Sequence, residues 1–298
     1  MTTPRVVVVG DLITDVVAVL AGPLMNGSDT PAEIRFTGGG QAANTAAWLG
    51  ALGVPVTLVG AVGADGPGRD RVAELERGGV DCAVTQVPEV PTGTVLVLAT
   101  AEERTMVTER GANLRLSPAA VDAALDAAPD ARHLHLSGYT LLDAGSRPAG
   151  LRALAAARER GLSISVDAAS AAPLQRVGAA AFLGWVRGID LLLVNAAEAR
   201  VLAGGLDPAA QGRVLSASAR WVVVKRGAAG AVWVDRDAMI AVAPTRRMSV
   251  VDPTGAGDAF AAGLLSTWLT GATPEAVLQR AGDLGASAVS QVGARPPA

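Results

Sequence analysis

Cysteine is nearly absent. Cys82 stands alone, so no intramolecular disulfide can form, and a small packing role is what it is expected to fill. Aromatic residues are only 3% of the 298, which does not suggest a base-stacking platform. Basic runs and acidic tails are missing and the formal net charge is −3, which argues against a general nucleic-acid binder. Apolar runs break well before the ~18 residues a membrane span needs. The opening string MTTPRVVVVGDLITD has no cleavage site and is interrupted by Asp11 and Asp15, so a signal peptide is not expected and a cytoplasmic location is. Repeats, low-complexity segments and domain linkers are not evident either.

Half of the residues are hydrophobic, much of that share being alanine and valine, which suits close packing of helices on a sheet. The length allows one large α/β domain or two small ones, with a substantial core. Nearly continuous β-branched or leucine runs read as strands buried on both faces: Arg5–Val9, Val56–Ala61, His133–Leu136, Ser163–Asp167, Leu191–Val194 and Trp221–Lys225. Helical patterns lie between them, at Gln41–Leu52, Ala119–Ala127, Pro148–Arg160 and Glu198–Leu202. This alternation predicts βαβ units in a doubly wound parallel sheet. Two stretches, near 12–37 and 92–110, alternate without a following helix. Thr94–Ala99 and Arg104–Val107 read as a hairpin turning at Ala101–Glu103, and together the two stretches predict a small β lid over one end of the main sheet.

The segment Val250–Leu265, VVDPTGAGDAFAAGLL, carries the most chemistry. Phe260, Leu264 and Trp268 recur at a spacing of four, which predicts a helix. Gly255-Ala256-Gly257 precede it, where small residues let the backbone approach a ligand and free amides with the helix dipole form an anion site. Asp258 follows at the helix start. Taken alone it reads as a cap. Beside an anion-binding loop, however, a carboxylate repels phosphate, and a base that accepts the proton of an attacking hydroxyl supplies a reason for it.

A second glycine string, Gly38-Gly39-Gly40-Gln41-Ala42-Ala43-Asn44, runs into the helix that follows. Asn44 reads as a satisfied core amide or as a bridge between two hydroxyls. Asp15 lies past the first strand, where a carboxylate can accept from vicinal hydroxyls; Asp11 reads as a loop or cap residue. Asn195 and Glu198 open a helix with the spacing of a capping box. Lys225-Arg226-Gly227-Ala228-Ala229-Gly230 joins two strands, as a hairpin turn or a nucleotide cradle. The string G-x-x-x-x-G-K-[S/T] is absent, which excludes a P-loop.

The string D-P-T-G-A-G-D-A-F-x-x-G at 252–263 resembles the C-terminal signature of the PfkB carbohydrate kinases, the ribokinase-like family, with Pro253 in place of a common threonine. The glycine string at 38–44 resembles the family's first signature, with Gln41 where sugar kinases often carry lysine. Gly63–Gly68 and Gly111-Ala112-Asn113 match further family turns, so the resemblance covers almost the whole chain in order. It implies a ribokinase-like three-layer α/β/α fold, one domain over 1–298, with a mostly parallel sheet and a small β lid. It also implies an ATP-dependent phosphotransferase acting on a hydroxymethyl group. Asp258 is then the base and Gly255, Ala256 and Gly257 the anion hole. Asp15, Gly39, Gly40 and Asn44 hold the substrate. Asn195 and Glu198 organise magnesium, the glutamate through water, while Lys225 and Gly227 contact ATP. Potassium activation, with Asp252 and Thr254 contributing, belongs to the same implication.

A sugar such as ribose, fructose or a keto-deoxy sugar acid is the first expectation for the acceptor, a nucleoside such as adenosine or pseudouridine the alternative. A non-catalytic sugar- or nucleotide-binding regulator is the reading from another class. A homodimer through a lid edge strand is a further expectation, and nucleic-acid and membrane partners are not expected. His133 and His135 alternate along one strand, one of them expected to face the core, with no third ligand to make a metal site. Asp167 is a candidate for support of the site. Arg104 is read as a solvated lid residue, and Arg246 and Arg247 as surface charges.

Overall fold

The valine run at the start of the chain is the middle of the molecule. In the computed structural model, which describes residues 4–99, 104–205, 207–236, 239–243 and 248–297, Val6, Val7, Val8 and Val9 are all fully buried. Val7 and Val9 face one apolar cluster, Val6 and Val8 the other. Burying a valine side chain contributes about 1.5–3 kcal/mol, so such a run is stable only with a layer of helices on each face.

The strands in chain order are β1 (Arg5–Val9), β2 (Ile13–Leu20), β3 (Ala32–Gly39), β4 (Val56–Gly63), β5 (Asp81–Val87), β6 (Thr94–Ala99), β7 (Arg104–Glu109), β8 (Ala131–Ser137), β9 (Ser163–Asp167), β10 (Ile189–Asn195), β11 (Ala219–Lys225), β12 (Ala231–Val234) and β13 (Met239–Ala243). The large sheet has nine strands in the order β13-β12-β11-β10-β9-β8-β1-β4-β5. From β11 to β5 every pairing is parallel; β12 and β13 extend it antiparallel. One helical layer includes Gln41–Ala51, Ala256–Trp268 and Pro274–Ala288, the other Pro118–Asp126, Arg147–Glu159 and Ala196–Ala203. The order reverses at β1, which has β4 on one side and β8 on the other, and such a reversal opens a crevice at the carboxyl ends of the strands.

A separate four-stranded sheet, β3-β2-β6-β7, is formed by the two stretches that lacked helices. β6 and β7 pair antiparallel from Thr94↔Glu109 to Ala99↔Arg104, and β2 pairs parallel with β6. The Ala101–Glu103 turn, the Arg104 side chain, Arg246 and Arg247 lie outside the described residues.

His133 and His135 depart from expectation. Two residues apart on a strand they share a face, and both are fully buried. Ser163 and Ser165 bind the two nitrogens of His133 at 2.8 and 2.7 Å, and Ser165 also reaches Nδ1 of His135 at 2.7 Å. Burial holds both rings below the usual histidine range, His135 at about 4. Among the described residues no group of histidine, cysteine and acids is placed to hold a metal ion, and no helix is long and apolar enough to cross a membrane.

Candidate active site

Five strands of the large sheet deliver a polar residue to the crevice. Asp11 follows β1, and Ser137, Asp167, Asn195 and Lys225 end β8, β9, β10 and β11. Register brings them side by side: Ser137 opposite Asp167, and Asn195 opposite Lys225.

The helix Gln41–Ala51 has no cap of its own. Gly40 precedes it at φ 99°, and a Cβ there would run into the Asp11 carbonyl oxygen, so this glycine is needed both for conformation and for space. The Asp11 carboxylate supplies the cap, accepting from the amides of Gln41 at 3.1 Å and Ala42 at 3.3 Å and from the Ser137 hydroxyl at 3.1 Å. The cap expected of Asp11 is thus present, delivered from a distant strand. Asn44, one turn in, is buried and donates from Nδ2 to Oδ2 of Asp258 at 2.9 Å.

Asp15 sits on β2, paired with Thr37 of β3 and Val95 of β6. It is buried, and a Cβ on Gly39 would occupy the space of its carboxylate. Burial pushes the Asp15 carboxyl up to about 6; Arg295 opposes the rise, while Asp11 and Asp252 add to it.

The helix Ala256–Trp268 begins after Gly255, at φ 76°, where a Cβ would strike the backbone of Ala294. The amides of Gly257 and Asp258 have no hydrogen-bond acceptor among the described residues, as the first turn of a helix leaves them. Asp258 keeps part of its surface open to the cleft. Burial nevertheless holds its carboxyl well above the usual carboxylate range; the Asn44 hydrogen bond and Lys225 oppose this, and Asp167 and Asp11 reinforce it.

Lys225 reaches across the strand ends to Oδ2 of Asp167 at 2.5 Å, and its Nζ stands 3.5 Å from where a Cβ on Gly257 would be. Burial opposes its charge, but Asp167, Glu198 and Asp258 outweigh burial and raise its pKa. Asp167 also accepts from Nε2 of Gln41 at 3.0 Å, and Oε1 of the same Gln41 side chain accepts from the Ser137 hydroxyl at 2.7 Å. A continuous polar chain therefore links the glycine string at 38–40 to Lys225.

Asn195 and Glu198 form a full capping box. The Asn195 side-chain oxygen Oδ1 accepts from the amides of Ala197 and Glu198, and the Glu198 carboxylate accepts from the Asn195 backbone amide at 2.7 Å. Burial, then the Asp167 charge, push the buried Glu198 carboxyl up to about 7. Asp252 holds its loop together, accepting from the amides of Thr254 at 2.8 Å and Gly293 at 3.0 Å.

These residues divide between two cavities that share the start of the Ala256–Trp268 helix. A cavity of about 550 Å³ takes Asp15, Gly40, Asn44, Thr254, Gly255 and Asp258. One of about 730 Å³ takes Asn195, Lys225, Gly227, Ala256 and Gly257, with an apolar wall that includes Val250, Phe260 and Val289. Gly39, Glu198 and Asp252 line neither and act on the neighbours described.

Arg295 was not foreseen. The Trp48 indole donates to the Ala294 carbonyl at 3.0 Å and fixes the C-terminal segment, so that Arg295 reaches the Gly39 carbonyl, the Asn44 amide oxygen and, at 2.8 Å, Glu74. Arg110, Tyr139, Asp143 and Arg176 of the smaller cavity were missed too. Arg110 directly precedes the Gly111-Ala112-Asn113 turn, the one signal that pointed to it.

The model of the pfkB family of carbohydrate kinases matches residues 3–298. An ATP-dependent ribose-1-phosphate kinase of Halopiger xanaduensis is 32% identical over 92% of this chain and 87% of its own. An adenosine kinase structure from Sinorhizobium meliloti superposes with a TM-score of 0.89 at 23% identity, covering 99% of this chain and 96% of that one. A ribokinase II candidate from E. coli, in complex with ATP and Mg2+, does so with a TM-score of 0.86 at 24% identity, over 98% and 94%.

Proposed function

We propose that this chain, which belongs to the pfkB family of carbohydrate kinases and has its ribokinase-like fold and ATP-dependent kinase activity, phosphorylates a hydroxymethyl group of a small sugar, with Asp258 as the base. The observation that carries the assignment is the Asp258 carboxylate on the wall of the smaller cavity, one residue from Gly257 on the larger, whose amide has no acceptor among the described residues.

The larger cavity suits ATP. Its apolar wall fits a flat base, and Asn195, Lys225 and Gly227 offer polar groups for the phosphates. Asp15, Gly39, Gly40 and Asn44 hold the sugar, Asp15 by accepting from hydroxyls. The Asn44–Asp258 hydrogen bond orients the carboxylate oxygen that takes the hydroxyl proton. As the alkoxide attacks the γ-phosphorus and the bond to the departing ADP breaks, the amides of Gly255 and Gly257 and the Lys225 ammonium stabilise the charge on the phosphoryl oxygens, and the Ala256 amide joins them by leaving the Pro253 carbonyl, to which it donates at 3.5 Å. The β3-β2-β6-β7 sheet carries Asp15, Val95, Met106 and Thr108 on the cavity, and we assign it the part of a lid that excludes water.

Magnesium fits this site only through water, since the described residues offer no dense ligand cluster and both Glu198 oxygens accept from Asn195. When bound it neutralises phosphate charge, and it keeps several waters by habit. Glu198 would hold it, together with the phosphates. Asp252 and Thr254, beside Gly255, are the residues we assign to potassium activation; equal turnover in sodium and potassium would remove that part.

A second copy of the chain is the partner we assign to the outer face of the small sheet. Phe36, Val16, Leu96 and Val107 are cross-strand neighbours there, and Phe36 is 70% exposed, a row that marks an association surface. Sedimentation is expected to give a dimer that Phe36→Glu splits; a wild-type monomer at tens of micromolar, on the order of ordinary assay concentrations, would remove this assignment.

The activity itself is tested by coupling ADP formation to a panel of sugars and nucleosides, alongside thermal shifts. ADP release with a sugar is expected. Stabilisation by sugars or nucleosides with no ADP formed would favour a binding regulator instead.

A further inference from the structure

The proposed mechanism leaves two cations of the acceptor cavity without a task. Arg110 and Arg176 both line it, with Tyr139, Asp143, Ser170 and Pro173. Neither makes a hydrogen bond or ion pair with Asp15 or Asp258, the carboxylates that hold and deprotonate the sugar, among the described residues.

Arg110 is fixed in place. Its guanidinium lies 4.4 Å from the Tyr139 ring centroid, Nε donates to Asp143 at 2.9 Å, and Nη1 stands 3.7 Å from Asp11, beyond hydrogen-bond reach. Its terminal nitrogens make no hydrogen bond among the described residues. A guanidinium carries five donors in a planar fork, so Arg110, ion-paired with Asp11 and Asp143, is oriented by one donor and has others to spare.

Arg176 is exposed at the cavity and has no ion pair among the described residues. An exposed arginine is ordinarily a solvated surface residue. Here three of the four acids that line the cavity are already engaged, Asp11 by the Gln41 and Ala42 amides, Asp143 by Arg110 and Asp258 by Asn44, and the fourth, Asp15, is the one assigned to the sugar hydroxyls. The segment that leads to Arg176 is also held against its preference. Ala169 has φ 73°, a left-handed conformation that non-glycine residues rarely adopt, and its amide is bound to Asp167 at 3.1 Å. That clamp starts the stretch that places Ser170, Pro173 and Arg176 along the cavity.

We propose that Arg176, together with Arg110, recognises an anionic substituent on the acceptor, a phosphate or a carboxylate, so that the substrate is a sugar phosphate or sugar acid. This rests on the kinase reading above and narrows it. The sugar hydroxyls turn to Asp15 and Asp258, and the anion, remote from the reacting hydroxymethyl group, takes the arginine forks, which match its paired oxygens in two parallel hydrogen bonds.

The test uses two acceptor pairs, ribose against ribose 1-phosphate and fructose against 2-dehydro-3-deoxygluconate, with the full-length enzyme and Arg176→Gln and Arg176→Lys variants. Wild-type kcat/KM is expected to favour the anion in one pair by more than about 10-fold. The first pair reports a phosphate, the second a carboxylate. In Arg176→Gln the anionic-to-neutral ratio should fall by roughly 10- to 100-fold, mainly through KM, and Arg176→Lys should recover part of it. A wild-type ratio near one, or a ratio that Arg176→Gln does not move, overturns the proposal. Calorimetric binding of the same four acceptors to the wild type without ATP separates the two readings. Tight, Arg176-dependent binding of an anionic acceptor that wild type never phosphorylates sustains the subsite and refutes the kinase. Turnover that favours the neutral partner in both pairs sustains the kinase and refutes the subsite.

Discussion

Asp258→Asn is expected to lower kcat by roughly 10³-fold, within the range that removal of a general base produces, while KM for ATP changes little. The substitution is nearly isosteric, and the introduced amide can turn its oxygen toward Nδ2 of Asn44, which now donates to the carboxylate at 2.9 Å. The fold should therefore survive, and only the capacity to take a proton is lost. The pH profile separates this role from a merely structural one. Burial raises the Asp258 carboxyl well above its ordinary value, so the wild-type base becomes protonated, and activity falls, as pH drops through that raised pKa. The acid limb of kcat should lie above the ordinary carboxylate range, and the residual rate of Asp258→Asn should lack it. Asp15, held at about 6 by burial, should still leave its mark near that pH on acceptor kcat/KM in both enzymes. Near-wild-type turnover in the variant, or an unchanged acid limb in kcat, would remove the assignment.

The same burial sets a direction for stability. An acid whose folded pKa is raised is most stabilised below its unfolded value, and that stability is lost as pH rises through the folded one. For Asp15 the window runs from about 4 to about 6. The unliganded protein therefore carries this carboxylate at neutral pH at a cost in stability, and sugar hydroxyls that donate to it offset part of that cost.

Much of this was legible because the signals were local. β1, β10 and β11 announce themselves as nearly continuous apolar runs, as strands buried on both faces do, whereas β8 and β9 alternate leucine, isoleucine or valine with histidine and serine that are buried because they bond one another. β5 did not announce itself: Asp81–Val87 is an edge strand whose residues are mostly half-buried or exposed, and its sequence carries no clear period. The helices Ala171–Val177 and Ala179–Trp185 are too short for one. In the site, Gly39, Gly40 and Asn44, or Gly255, Gly257 and Asp258, sit within a few residues of one another, so spacing could express their geometry. Arg295 and Arg176 have no such neighbours. They enter through the Trp48 anchor on the C-terminal segment and the strained turn at Ala169, which exist only once the sheet has brought distant segments together. For Asn195 and Glu198 the capping box is present, and it sits at the crevice because β10 ends there.

Lys225→Met should cost both stability and turnover, and a second substitution should return only one of them. Lys225 lies 2.5 Å from Asp167, which is 2% exposed, and Glu198, 1% exposed, is among the charges that hold it protonated. Removing the ammonium leaves two buried acids without their cation. Breaking a buried pair from one side costs about 3–5 kcal/mol, which for a chain of this size lowers Tm by roughly 10 °C. In Lys225→Met/Asp167→Asn one stranded charge is gone, and the asparagine oxygen can still accept from Gln41, so most of the lost Tm should return. The two sites share one interaction, and the cycle of single and double variants measures it directly. Turnover should not return, because no cation then faces the phosphoryl group beside Gly257. A single variant as stable as wild type would show that the pair does not hold the strand ends together. A double variant with restored kcat would show that the lysine serves the fold alone, and that the amides of the Ala256–Trp268 helix carry the phosphoryl charge without it.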